Sequence, residues 1–364
     1  MIISDIINEL ETLAPSYLQE SYDNAGLIVG DKTRNCTGII ISLDCLESVV
    51  EEAVDRGCNL IISHHPILFK GLKSITGKNY VERTIIAAIK NDITIYAIHT
   101  NLDNVGNGVN YKMAERLGLK NTRVLSPKKN LLRKIVVFVP LAERDKLAAA
   151  MHEAGAGNIG DYHDCSFSSL GEGKFTPGEG TNPTIGNIGV AETVAESRLE
   201  MIYPIWQEAN ILAAMKAQHP YEVVAHDIYD LKNDHEETGS GLIGELTVPM
   251  EINAFLHFLK NTFGLKMMRH TALCNTQISK VAICGGAGSF LIQDAINSKS
   301  DIYISSDFKY HEFFDADNKI IIADIGHFES EQFTIDLLYD FLRQKFTNFA
   351  VLKTAVVTNP VIYC

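Results

Sequence analysis

Two adjacent histidines, His64 and His65, are the first residues in the sequence whose type and position could support metal chemistry. They follow the apolar run CNLIIS and precede Pro66, so they lie where a buried strand is expected to end. In open α/β sheets, ligands bind at that carboxyl end of the strands. Adjacent side chains on an extended backbone point in opposite directions. The pair could therefore hold one ion if the loop bends, or two ions without bending. The alternative is two partly exposed loop histidines.

A second polar cluster, YAIHTNLDN, also ends an apolar strand and supplies His99 and Asp103. Asp103 is a candidate metal ligand, although it could instead cap the next helix. His99 is a candidate supporting residue that hydrogen-bonds a ligating carboxylate, because such outer contacts orient the ligands of metal sites. We also consider His99 as the side chain that assists catalysis.

The third cluster, DIGHFESEQ, stands between the strand KIIIAD and the C-terminal helix. If this helix begins near Phe328, His327 and Glu331 rise from one side of its first turn, because residues four apart are neighbours on a helix surface. Glu329 lies off that face. The alternative is that the acid is there only because the helix macrodipole favours negative charge in the first turn.

Three polar clusters at three strand ends are explained together by one metal centre. Imidazoles and carboxylates without thiolates suit divalent ions such as zinc, our first choice, with iron, manganese or nickel as alternatives. Two ions ~3.5 Å apart can share a bridging carboxylate, for which Asp103 and Glu331 are the candidates. Coordination positions left to water would permit hydrolysis.

These clusters require strands with their carboxyl ends at one edge of a sheet. Helical and β-rich segments alternate in about the first and last 125 residues, which indicates an α/β fold. The segment CGGAGS lacks the phosphate-binding patterns GxGxxG and GxxxxGK[ST], so it predicts a tight turn near the site. Between about Leu131 and Ser240 the order of elements is β-α-β-β-α-β, which indicates a ferredoxin-like α+β insert.

Composition limits the remaining classes of function. The 364 residues carry a net charge of -13, which argues against a broad nucleic-acid surface. No apolar run is long enough for a membrane span, and the acidic N-terminal segment does not resemble a secretory signal, so we expect a cytoplasmic protein. Seven cysteines without a CxxC spacing indicate neither a disulfide framework nor a zinc knuckle.

The motifs SYDNAGLIVG, SHHP, HTNLD, CGGAG and GHFESE occur in the order and spacing of a known dinuclear-metal family. The sequence resembles the GTP cyclohydrolase 1 type 2 homologues, also called NGG-interacting-factor-three-like proteins. The resemblance implies that the five metal ligands are His64, His65, Asp103, His327 and Glu331. The sequence departs from the family pattern at SSD, where Ser306 replaces the usual glycine and Asp307 is retained.

The resemblance also implies an architecture. Residues 1–128 and 241–364 would form a split α/β domain with helices around mixed sheets, and residues 129–240 would form the ferredoxin-like insert, related to PII and CutA domains, of the long bacterial members. Such members assemble as toroidal homohexamers.

Two functions follow as expectations. The first is a metal-dependent hydrolase acting on a nucleotide, phosphoester or cyclic amide. The second is a non-catalytic, ring-shaped metal-binding or regulatory assembly with a ligand-sensing insert.

Overall fold

The computed structural model describes residues 1–363, which divide into two compact units. One unit joins Met1–Pro127 with the residues from Glu237 onward, and the other is Lys128–Glu236. Cys364 lies outside the described residues. Within them, no helix is both long and apolar enough to cross a membrane.

Helices and strands alternate through most of the chain. The strands are β1 Gly26–Val29, β2 Ile39–Ser42, β3 Leu60–Ser63, β4 Thr94–Ala97, β5 Lys120–Lys128, β6 Leu132–Pro140, β7 Phe167–Phe175, β8 Glu192–Pro204, β9 His226–Asp230, β10 His235–Glu251, β11 Arg269–His270, β12 Gln277–Ala287, β13 Ile302–Ser306, β14 Ile321–Asp324 and β15 Val351–Lys353. The helices are α1 Ile3–Leu13, α2 Glu47–Asp55, α3 Tyr80–Lys90, α4 Thr100–Asp103, α5 Val109–Arg116, α6 Arg144–Glu153, α7 Glu208–Gln218, α8 Ile252–Phe263, α9 Ile292–Asn297, α10 His327–Glu331 and α11 Thr334–Lys345.

The first sheet of the larger unit has the strand order β1-β4-β3-β2-β15. Strands β15, β2, β3 and β4 are parallel, and β1 is antiparallel to β4. Every residue of β2, β3 and β4 is buried. The runs IIIS and LIIS are therefore covered on both faces, as in sheets wound with helices.

The two faces of this sheet form separate cores because successive side chains in a strand alternate between faces. Ile39 and Ile41 pack on one face with α1 and α11, whereas Ile40 packs on the other with α2 and α3. Helix α1 fits its face because Ile3, Ile6, Ile7 and Leu10 follow the helical repeat and are all buried.

The second sheet of the larger unit has the order β11-β14-β13-β12-β10-β5. Strands β12, β13 and β14 are parallel, and helices α5 and α8 pack on one face while α9 packs on the other. The chain therefore forms two mixed sheets here, which confirms the predicted α/β class.

The smaller unit has the order β-α-β-β-α-β, from β6 through α6, β7, β8 and α7 to β9. Its antiparallel sheet has the order β7-β8-β6-β9. This is the ferredoxin-like arrangement predicted from the sequence.

Two local predictions were wrong. The segment CGGAGS is not a separate tight turn, because Cys284–Ala287 continue β12 with a change of register. The predicted single C-terminal helix is divided into α10 and α11.

Candidate metal centre

Three strand ends of the larger unit bring the predicted side chains together. His64 and His65 follow β3, His99 and α4 follow β4, and α10 follows β14. Because β3 and β4 are parallel neighbours, their carboxyl ends lie at the same edge of the sheet. Helix α10 begins at His327, next to the position expected from the sequence, and Glu331 ends it.

His64, Asp103 and Glu331 form a first group that could hold a metal ion. His64 Nε2 lies 3.6 Å from Asp103 Oδ1 and 3.8 Å from Glu331 Oε1. Both His64 Nε2 and Asp103 Oδ1 are buried without a hydrogen-bond partner among the described residues. These separations are too long for hydrogen bonds but suit ligands that each stand about 2.0–2.2 Å from a shared ion.

His65, His327 and Glu331 form a second group of the same kind. Glu331 Oε2 lies 2.9 Å from His65 Nε2 and 3.0 Å from His327 Nε2. The two imidazole Nε2 atoms are 3.2 Å apart. The groups thus share Glu331, whose Oε1 contacts the group of His64 and whose Oε2 contacts His65 and His327.

The outer nitrogen of each imidazole in these groups has a protein acceptor. His64 Nδ1 donates to the Ile98 carbonyl at 2.9 Å. His65 Nδ1 donates to Asp44 Oδ1 at 2.8 Å, and His327 Nδ1 donates to Asp307 Oδ2 at 2.7 Å. Such contacts fix the ring tautomer and direct Nε2 inward, as in protein metal sites. The residues present therefore fit a metal centre.

His99 does not support a ligating carboxylate as expected. Its Nδ1 donates to Asp23 Oδ1 at 2.8 Å instead of contacting Asp103. Asp23 is in turn held by the Thr100 hydroxyl at 2.6 Å and the Thr100 backbone N–H at 3.1 Å. His99 also lies close enough to His64 and His65 to form a third group that could hold an ion.

The alternative explanations of single residues fail in the structure. His64 is fully buried and is not a surface loop residue. Gly108, not Asp103, stands at the N-cap of α5. Glu331 is the last residue of α10, and Glu329 is the acid in its first turn, so the macrodipole explains Glu329 only.

Charge is concentrated at Glu331 and its neighbours. Burial disfavours a cation at His65, but hydrogen bonds and charges from Asp44 and Glu331 raise the pKa of His65 to about 9. Burial likewise opposes the His327 cation, yet Asp307 and Glu331 raise the pKa of His327 to about 11. Without an ion, protons on these imidazoles supply the positive charge that the carboxylates require.

The carboxylates differ from each other. Burial, together with the negative charge of Glu331, raises the pKa of Asp103 to about 7. Burial also opposes ionisation of Glu331, but hydrogen bonds from the surrounding imidazoles hold the pKa of Glu331 well below its ordinary value.

Strand β12 and the SSD segment approach the site closely. Gly286 has a φ of 62°, and a Cβ at this position would collide with Glu331 Oε1. The Ser306 hydroxyl donates to the Gly286 carbonyl at 2.6 Å. Asp307 adopts the left-handed conformation, with a φ of 56°, whereas Ser306, where the sequence departs from the motif it resembles, does not.

A cavity of about 1020 Å³ opens at the site and is lined by His65, Asp103, His327 and Glu331. Apolar side chains, including Phe69 and Phe290, form part of its wall. Arg269 contributes a cation to the same wall and pairs with Asp324. The cavity therefore has room for a small molecule and combines an apolar part of the wall with polar side chains.

Sequence reasoning missed Asp23 and Asp44. Asp44 stands two residues after the end of the apolar strand β2, close to the pattern that identified His64 after β3, so a similar criterion could have found it. Asp23 does not follow a strand, because it lies in a loop before β1 and meets His99 only in the folded chain, although it belongs to the motif SYDNAGLIVG.

Comparison with known proteins gives the family. The model of the Duf34/NIF3 (NGG1p interacting factor 3) family matches residues 1–360. A relative from Halalkalibacterium halodurans, named GTP cyclohydrolase 1 type 2 homolog, is 39% identical over 360 residues, which are 98% of this chain and 97% of the relative. A Bacillus subtilis relative of the same name is 38% identical over 325 residues, 89% of this chain and 87% of its own length.

Solved structures agree with this assignment. The crystal structure of a Bacillus cereus protein related to NIF3 is 37% identical, has a TM-score of 0.88, and is matched over 100% of this chain and 99% of that one. A Staphylococcus aureus protein structure has a TM-score of 0.79 at 29% identity, over 100% of this chain and 99% of that one. The chain therefore belongs to the Duf34/NIF3 family.

Proposed function

We propose that this chain binds two divalent metal ions that share Glu331 as a bridging ligand. His64 and Asp103 would complete one position, and His65 and His327 the other. The observation that carries the proposal is the division of Glu331, with Oε1 facing His64 at 3.8 Å and Oε2 facing His65 at 2.9 Å. Nitrogen and oxygen donors without thiolate favour zinc, and iron, manganese or nickel are the alternatives.

We further propose that the centre serves a metal-dependent hydrolase. Five ligands are too few to saturate two ions, and the adjoining cavity has room for a substrate of the nucleotide, phosphoester or cyclic amide class. Two bound ions would supply Lewis-acid activation of water and of the scissile group. The name of the relatives, GTP cyclohydrolase 1 type 2 homolog, is in keeping with a hydrolytic reaction.

His99 is the candidate for proton transfer in this reaction. Asp23 accepts the Nδ1 proton, and two contacts from Thr100 keep the Asp23 carboxylate in place. His99 Nε2 is then the ring nitrogen that can exchange a proton with a substrate in the cavity, which His99 lines.

A second candidate function is a ring-shaped metal-binding or regulatory assembly without catalysis. The ferredoxin-like fold of Lys128–Glu236, a compact unit of its own, supports it, since such a unit could sense a small ligand in the manner of PII domains. With either function, we propose a cytoplasmic homohexamer, which light scattering would test through the molecular mass.

Elemental analysis of the purified protein, followed by a hydrolysis screen with the metal found, tests these proposals. The screen would cover nucleotides, phosphoesters and cyclic amides. We expect two ions per chain and turnover that Glu331→Gln abolishes and His99→Gln reduces by about 100-fold. Absence of bound metal would contradict the dinuclear centre. Two ions with no turnover of any substrate would favour the regulatory assembly.

A further inference from the structure

The segment that follows β15 runs past the carboxyl end of β2. Strand β15 is parallel to β2, with Lys353 beside Ile41. The backbone N–H of Thr354 continues this pairing by donating to the Ile41 carbonyl at 2.9 Å. Because β15 and β2 run in the same direction, the residues after Thr354 reach the edge of the sheet at which the loops of the candidate metal site begin.

Two threonine hydroxyls attach this segment to carboxylates. Thr354 donates to Glu52 in α2, away from the metal centre. Thr358 is buried and donates to Asp44 Oδ2 at 2.6 Å. The two contacts have the same chemistry, but only the second involves a carboxylate that contacts a candidate metal ligand.

Asp44 links Thr358 to the metal centre. One carboxylate oxygen accepts from the Thr358 hydroxyl, and the other accepts from His65 Nδ1 at 2.8 Å. His65 Nε2 lies on the opposite side of the ring, 2.9 Å from Glu331 Oε2. A continuous chain of hydrogen bonds therefore runs from the C-terminal segment to the carboxylate that the two candidate ion positions share.

We propose that Thr358, acting through Asp44, positions His65 and thereby sets the affinity of the ion position formed by His65, His327 and Glu331. Thr358 is a positioning residue and not a ligand. Its hydroxyl fixes the rotation of the Asp44 carboxylate, which in turn fixes the plane and tautomer of the imidazole. The position formed by His64 and Asp103 is not affected, because His64 is oriented by the Ile98 carbonyl instead. This inference rests on the dinuclear centre proposed above.

The effect can be measured one position at a time. Asp103→Asn should leave mainly the position of His65 and His327, and His327→Ala should leave mainly that of His64 and Asp103. Zinc affinity is measured in each background by competition with a chromophoric chelator. We expect Thr358→Val to weaken binding about 10- to 100-fold in the Asp103→Asn protein, the usual cost of losing an outer-sphere contact. No change is expected in the His327→Ala protein.

Two further variants separate positioning from general anchoring of the segment. Thr358→Ser keeps the hydroxyl and should restore the affinity. Thr354→Val removes the matched contact with Glu52 and should leave the affinity unchanged. Equal losses in Thr354→Val and Thr358→Val, or loss at both ion positions, would overturn the inference. So would unchanged affinity in Thr358→Val.

The dinuclear centre and the inference can fail separately. If the wild-type protein binds no zinc, the centre is wrong and the inference falls with it. If the wild type binds two ions and Thr358→Val binds them equally well, only the inference is wrong. Thermal unfolding of each metal-free variant shows whether a lost affinity reflects a lost fold.

Discussion

His64 Nε2 and Asp103 Oδ1 face each other across 3.6 Å, and neither atom has a hydrogen-bond partner among the described residues. A buried polar group without a partner costs about 1–3 kcal/mol. A cation between the two atoms would remove this cost for both, and Glu331 Oε1 is within reach of the same point. Filling the site is therefore expected to stabilise the protein, and the details of the candidate centre lead to four predictions.

Glu331→Gln should reduce the bound metal from two ions to one or none, because both candidate positions use this carboxylate. Elemental analysis of the purified variant gives the stoichiometry. Glu329→Gln is the matched control, since Glu329 lies in the same short helix and lines the same cavity but belongs to neither group. Two ions retained in Glu331→Gln would show that it does not bridge.

Asp103→Asn and His327→Ala should each remove one ion and keep the other. Asp103 belongs only to the group with His64, and His327 only to the group with His65. Zinc titration monitored by calorimetry should show one binding event in each variant and two in the wild type. Loss of both events in either single variant would mean that the positions do not fill independently.

Gly286→Ala should lower metal affinity, because the new methyl group would displace Glu331 Oε1. Gly264→Ala is the control, with a similar φ of 65° but no atom of the described residues within 4 Å of the added Cβ. Both variants should lose about 1–2 kcal/mol of stability from the left-handed backbone. Only Gly286→Ala should bind zinc more weakly, and equal affinities in the two variants would contradict the close approach.

Zinc binding should strengthen as the pH rises toward 9. In the metal-free protein the pKa of His65 is about 9 and that of His327 about 11, so an ion must displace protons from both. Both pKa values exceed 6.5, the ordinary pKa of a histidine side chain. The stabilisation that protonated His65 and His327 give to the metal-free fold is therefore complete below about pH 6.5 and declines as the pH rises through about 9.

Thermal unfolding from pH 6 to 9, with and without zinc, tests whether protons and zinc compete for His65 and His327. The melting temperature of the metal-free protein should fall as the pH rises, whereas that of the zinc-loaded protein should change less. Zinc affinity that decreases with pH would contradict the proton displacement.

The sequence alone could point to candidate site residues where polar side chains follow an apolar strand. His64, Asp103 and His327 could be chosen as candidates because each lies in the segment that follows an apolar strand, and strand ends of parallel sheets converge. The contacts that orient them could not be identified in the same way. The pairs Asp44–Thr358 and Asp23–His99 join loops distant in sequence, and only tertiary packing brings them together.

The glycines of β12 show a second limit of prediction from the sequence. The composition of CGGAG predicted a turn because glycine interrupts regular structure. In the structure the strand continues, and Gly286 is needed because Glu331 occupies the space that a side chain would fill. Local propensity cannot reveal a neighbour 44 residues away, such as Ser330, whose hydroxyl accepts from the Gly286 N–H.

The distance along the chain between His65 and Glu331, 266 residues, has a consequence for biosynthesis. A ribosome that has synthesised β1 to α4 has supplied His64, His65 and Asp103 but none of their partners from α10. Domains emerge in order during translation, so the nascent chain offers an ion only half of a binding site. Loading of the proposed metal centre would therefore wait for nearly the whole polypeptide, and a chain terminated before α10 would lack the ligands to retain both ions.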